Sequence, residues 1–348
     1  MKIRHSTRTV AAHWWAALLC VVAFVVPLSC TIGDTADIAA GESVGAAVAG
    51  RETAEPGALA PVPQRRPVAV DTWVLDLIDT QRATQPVVSG AVALPWRALP
   101  TSVRLPAGDQ PAPLVVFSHG LGSSPQRFSQ LLDTWAAAGY VVVAPRFPLT
   151  SDTNPDHNIE VSDQVNLPAD VSFVLDEVLA AAATPGDRLF GRVDPDAIGA
   201  AGFSLGGGAT YALAYNDCCV DERIDSVAIL GSAVLIYTGV TDLARALPVL
   251  IVHSTTDEAL DYVYARDAFD EVGGPAWFIT VRDVAHHDAF DDAPTAVDTT
   301  VELATTAFWD RTLRGGDAAA DAVAEANMAM AVVVAEGAAN LEARNNDR

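Results

Sequence analysis

The chain has 348 residues, with 44 acidic against 21 basic side chains, a formal net charge of -23, and half of its residues are hydrophobic. That much apolar material supports a sizeable core and excludes general disorder. The charge excludes nucleic acid as a partner, because it repels a phosphate backbone; Lys2 is the only lysine, and no basic patch with interleaved aromatics occurs.

In chain order, residues 1–30 predict an export signal. Lys2, Arg4 and Arg8 make a positive start, and the apolar run over 14–28 is short for a membrane span but suits a signal core. The run ends at Pro27-Leu28-Ser29-Cys30. A lipoprotein cleavage there would leave Cys30 lipidated and the protein held to a membrane; plain secretion is the alternative, since Pro27 stands where such sites usually carry leucine. Residues 31–67, rich in Ala, Gly, Glu and Pro without periodicity, predict a surface linker.

Strand-like runs at 72–78 and 91–94 come next, then a continuous apolar strand at 114–117 of the kind buried on both faces of a sheet. A helix over 128–138, ended by Gly139, leads to a strand at 140–144. Beyond it lie a helix over 169–182, a strand at 197–203, a helix opening after Ser204, and strands at 226–230 and 248–253. A helix over 259–272, a strand at 277–281 and a helix over 296–313 complete the alternation. The pattern predicts an α/β fold, a mostly parallel sheet with helices on both faces, in one domain over 68–326. Residues 327–348, Ala-rich and acidic with an apolar run over 328–335, are expected to form a tail in preference to an extra helix packed on the domain. Cys20 and Cys30 belong to the leader region, which leaves the neighbours Cys218 and Cys219 as either a vicinal disulfide or two buried thiols.

The sharpest local signal is Gly202-Phe203-Ser204-Leu205-Gly206, a G-x-S-x-G sequence placed between a strand and a helix. Small flanking residues let the chain turn sharply and hold a serine exposed at the sheet edge, which makes Ser204 the candidate nucleophile. A serine hydroxyl needs a base, and the base needs an orienting acid, in the chain order serine, acid, histidine. Asp257 follows the 248–253 strand at the edge where catalytic groups gather in such sheets, with Asp261 as the second choice. Only His286 and His287 lie beyond it, so one of them is the expected base. The oxyanion needs two backbone N–H donors: Leu205, after the nucleophile, and Leu121, in the glycine-rich loop after the 114–117 strand. His119 in that loop is expected to brace it. Asp152, Asp156, His157 and Asp163 suggest a solvated loop in preference to a cation site. No motif for a cofactor or a structural metal occurs, and none is expected.

The runs V-V-F-S-H-G-L-G and L-L-D-T-W-A-A-A-G-Y-V-V-V-A-P resemble the bacterial relatives of platelet-activating factor acetylhydrolase, an α/β-hydrolase group. Chlorophyllase-like and dienelactone-hydrolase-like esterases and polyester hydrolases share this layout. The likeness runs from about Val68 to Asp317 and includes R-A-L-P-T-S-V-R-L-P-A, L-P-A-D-V-S-F-V-L-D and H-D-A-F-D-D. It implies an α/β-hydrolase fold, and its H-x-x-F-x-D setting selects His287, with Phe290 and Asp292 behind it. The implied triad is then Ser204, Asp257 and His287. Arg146 departs from the acidic residue that relatives often carry. Dienelactone hydrolases proper use cysteine, so the serine points to ordinary esters.

The expectation is a secreted or envelope serine hydrolase of short-acyl or polymeric esters, with a small-molecule or polymeric ester as its partner. An exported peptidase or amidase is the nearest alternative, and a catalytically silent binding protein on the same fold is a second.

Overall fold

The structure, a computed structural model, describes residues 67–87, 92–153, 159–292 and 295–344. The export signal, Cys30, almost all of the linker, and Asp156 and His157 lie outside the described residues.

Among the described residues, nine strands form one sheet in the order β1-β2-β4-β3-β5-β6-β7-β8-β9. They are β1 (Val70–Asp79), β2 (Arg97–Pro106), β3 (Ala112–Ser118), β4 (Val141–Pro145), β5 (Val193–Phe203), β6 (Ser226–Leu230), β7 (Val249–Ser254), β8 (Ala276–Val281) and β9 (Ala339–Arg344). The strands from β3 to β8 run parallel, while β1, β2 and β9 supply the antiparallel pairs. Among the described residues, six helices cover it: α1 (Ser129–Ala137), α2 (Leu167–Ala183), α3 (Leu205–Tyr215), α4 (Tyr262–Glu271), α5 (Ala296–Leu313) and α6 (Ala318–Val334).

The central strands read as unbroken apolar runs because both of their faces are buried. The period of two sorts them. Leu114 and Val116 of β3, with Val249 and Ile251 of β7, pack under α2, α3 and α4. Val115, Phe117, Leu250 and Val252 point the other way, under α1, α5 and α6.

Two segments differ from the sequence expectation. The strand expected at 91–94 is in its described part only a single bridge, Leu94 to Thr84, and the real partner of β1 is β2. Pro100 and Pro106 disguise β2 in the sequence, since proline is unusual inside a paired strand. The tail expected over 327–348 is largely ordered. Ala324, Met328 and Ala331 form a helical stripe buried in the core, and β9 pairs along the whole of β8. Spacing of four and three residues is an amphipathic signature, but alanine makes it faint. Cys218 and Cys219 are joined as a disulfide.

Candidate active site

β5 leads to the candidate nucleophile. Its last residue, Phe203, is followed by Ser204 at φ 53° and ψ -119°, the start of α3. A non-glycine residue held at positive φ is backbone strain that the surroundings must enforce. Here they do. A Cβ on Gly206 would lie 2.1 Å from the Ser118 carbonyl oxygen, and one on Gly202 would lie 2.2 Å from that of Gly206. Only glycine lets strand, turn and helix approach so closely. The Ser204 N–H donates to the Leu230 carbonyl, and the Ser232 hydroxyl donates to the Ser204 carbonyl at 2.6 Å.

β7 leads to the candidate acid. Asp257 follows it by three residues, with its side chain fully buried. One carboxylate oxygen, Oδ1, accepts from the amides of Ala259 and Leu260 at 2.9 and 2.8 Å. The other, Oδ2, lies 2.6 Å from Nδ1 of His286. Burial pushes this carboxyl up, but the hydrogen bond and charge of His286 and the Leu260 amide outweigh it, and it ends below the ordinary carboxylate value.

β8 leads into the loop of the candidate base. His286 is buried, and its Nε2 lies 2.9 Å from the Ser204 hydroxyl oxygen. An ionised carboxylate only accepts, so Nδ1 carries the hydrogen and Nε2 is free to accept from Ser204. Two groups, one at the end of β7 and one in the loop after it, hold this register. Glu258 accepts the His286 backbone N–H at 2.9 Å, and the Ser254 hydroxyl donates to the Val284 carbonyl at 2.6 Å.

The expected base therefore shifts by one residue. His287 is not part of the hydrogen-bonded chain: it is 39% exposed, with Nδ1 3.5 Å from Asp291 Oδ1. The cause is the turn that follows, in which Phe290 and Asp291 both donate their N–H to the His287 carbonyl. It leaves His286 facing Ser204 and His287 on the outer side. Phe290 and Asp292 have packing roles, Phe290 against Phe203 and Asp292 as acceptor of the Gln130 N–H.

Leu205 opens α3, so its N–H has no carbonyl one turn earlier within the helix. Gly120 runs directly over the nucleophile turn, where an added Cβ would stand 3.1 Å from Ser204 Cβ, and Leu121 follows it. His119 is fully buried; its Nδ1–H donates to the Gly120 carbonyl at 2.8 Å and its Nε2 accepts the Phe147 N–H at 3.2 Å. It ties the loop after β3 to the segment after β4, as a brace. Burial pushes its pKa down to about 4, so it is neutral at pH 7. Asp261, the second choice for the acid, instead caps α4 by accepting the Val263 N–H. Asp163 is spent on a buried pair with Arg97. A groove of about 650 Å³ lies elsewhere, between α2, the Cys218–Cys219 turn and Tyr237, and no triad residue lines it.

Glu258, Ser254 and His253 carry no sequence signal: none belongs to a motif, and each contacts a site-loop residue that only the fold brings near.

The chlorophyllase family model matches residues 81–256, half of the chain. The chain belongs to the chlorophyllase family. The match takes in Ser204, Leu121 and Leu205 and stops one residue before Asp257. Chlorophyllase-2 of Arabidopsis thaliana is 24% identical over 214 residues, which cover 55% of this chain and 64% of that protein. The chain thus spans less than two thirds of this chlorophyllase relative. A ferulic acid esterase from Streptomyces cinnamoneus superposes with a TM-score of 0.58 at 21% identity, covering 75% of this chain and 97% of that one. This neighbour, together with the strand order, shows the α/β-hydrolase fold.

Proposed function

We propose that this protein is a serine carboxylic-ester hydrolase that works through an acyl-enzyme. The observation that carries the reading is the continuous chain Ser204 Oγ, His286, Asp257, with contacts of 2.9 and 2.6 Å. His286 takes the Ser204 proton as the hydroxyl attacks the ester carbonyl. Asp257 holds the imidazole tautomer and stabilises the imidazolium, and the amides of Leu205 and Leu121 receive the oxyanion. His286 then protonates the leaving alcohol and activates water for deacylation.

The substrate class is short-acyl or polymeric esters. The names of both relatives, a chlorophyllase and a ferulic acid esterase, support ester chemistry over amide chemistry. A large apolar lid is the usual mark of a long-chain lipase, and the span between β6 and β7 does not form one. Leu235 in that span packs against Gly208 of α3, and Thr241 pairs with Asn216 at the helix end. Export is part of the proposal, and the Cys218–Cys219 disulfide supports an oxidising compartment.

The test is a series of p-nitrophenyl esters from acetate to palmitate, with an alkyl ferulate and a peptide p-nitroanilide beside it. kcat/KM is expected to be highest for the short esters and negligible for the anilide. A steady rise to the sixteen-carbon ester, or a preference for the anilide, would contradict the substrate class.

A further inference from the structure

We propose that His253 is a positioning residue for the Asp257 carboxylate, an inference that rests on the triad reading above. His253 is the penultimate residue of β7 and is fully buried. Its Nε2 lies 2.8 Å from the Leu260 carbonyl oxygen and 3.5 Å from Asp257 Oδ2. Both oxygens only accept, so Nε2 must carry the hydrogen. Nδ1 is therefore bare, and it is buried without a hydrogen-bond partner.

Leu260 is held at both ends. Its N–H donates to Asp257 Oδ1 at 2.8 Å, and its carbonyl accepts from His253. The acid loop is thereby closed onto the strand it leaves: carboxylate to Leu260, Leu260 to His253, and His253 back beside the carboxylate. With Oδ1 fixed by the Leu260 amide, Oδ2 is left pointing at His286. A buried ring nitrogen without a partner is a cost that packing alone does not call for. What an imidazole supplies here, and leucine cannot, is the Nε2–H.

The ring must also stay neutral. A charged His253 would draw the carboxylate's charge away from His286. Burial pushes its pKa down against the opposing pull of Asp257 and Asp261, with His286 adding to the depression. Tyr262 of α4 faces the ring edge-on at 6.2 Å and bonds to Thr280 instead.

The experiment compares wild type, His253→Leu, His253→Gln and Ser204→Ala on p-nitrophenyl butyrate, with thermal melts of each. Gln offers an amide N–H at about the reach of Nε2. In His253→Leu, kcat is expected to fall about tenfold or more with KM little changed, without a matching fall in melting temperature. His253→Gln should recover most of the rate. A fully active His253→Leu beside an inactive Ser204→Ala would overturn this inference alone. So would a loss in His253→Leu that follows its loss of stability and is no better in His253→Gln. An active Ser204→Ala would overturn the triad reading and this inference with it.

Discussion

Ser204, Asp257 and His286 come from three loops at the same edge of the sheet, and each is held by backbone contacts as well as by the others. The places of Ser204 and Asp257 in this hydrogen-bonded chain were legible in the sequence because each follows a strand with its own local marks: small residues around Ser204, and a strand-end position for Asp257. The histidine was legible only as a pair. Whether His286 or His287 turns inward depends on the Glu258 contact and on the turn at 287–291, neither of which has a motif. His119 supports a prediction at this scale. Its pKa of about 4 when folded lies below its ordinary value, so the unfolded chain takes up a proton first as pH falls. Its share of stability is complete above about pH 6.5 and is lost on the way down, about 2 kcal/mol between pH 7 and pH 5. Urea unfolding of wild type and His119→Asn at these two pH values is expected to show a smaller loss in the variant. Part of the loss should remain, because His253 is also pushed down by burial. Identical losses would contradict the account.

Among the elements, the six parallel strands were legible because their apolar runs and intervening helices repeat at regular spacing. β2 was hidden by its prolines, and α6 with β9 by a composition close to that of a tail. The ordered C-terminus has an energetic role. β9 covers the outer edge of β8, and Met328 and Ala331 are buried in the layer that also holds Trp277, Phe308 and Trp309. An exposed strand edge is a liability for aggregation. Deleting residues 317–348 is therefore expected to lower the melting temperature and promote aggregation by light scattering. The loss should be several kcal/mol, about that of emptying one or two large core positions. A truncated protein as stable as the full chain would show that the C-terminal layer is not part of the core.

For the whole molecule, export is the proposal that the disulfide and the leader pattern support, and the leader carries its own test. The intact mass of the protein recovered from outside the cytoplasm is expected to begin near Cys30 or Thr31, with lipid mass added only if Cys30 is acylated. Retention of Met1 in that fraction would contradict cleavage. The central claim is that Ser204 is the nucleophile and His286, not His287, its base. Its most direct measurement is the rate of covalent labelling by a fluorophosphonate probe, followed by peptide mapping, in wild type, Ser204→Ala, His286→Ala and His287→Ala. Wild type is expected to carry one adduct, on Ser204, and Ser204→Ala none. His286→Ala should label at least about 10³-fold more slowly, and His287→Ala within about tenfold of wild type. An adduct mapped elsewhere, or a His287→Ala protein that fails to label while His286→Ala labels normally, would contradict the account.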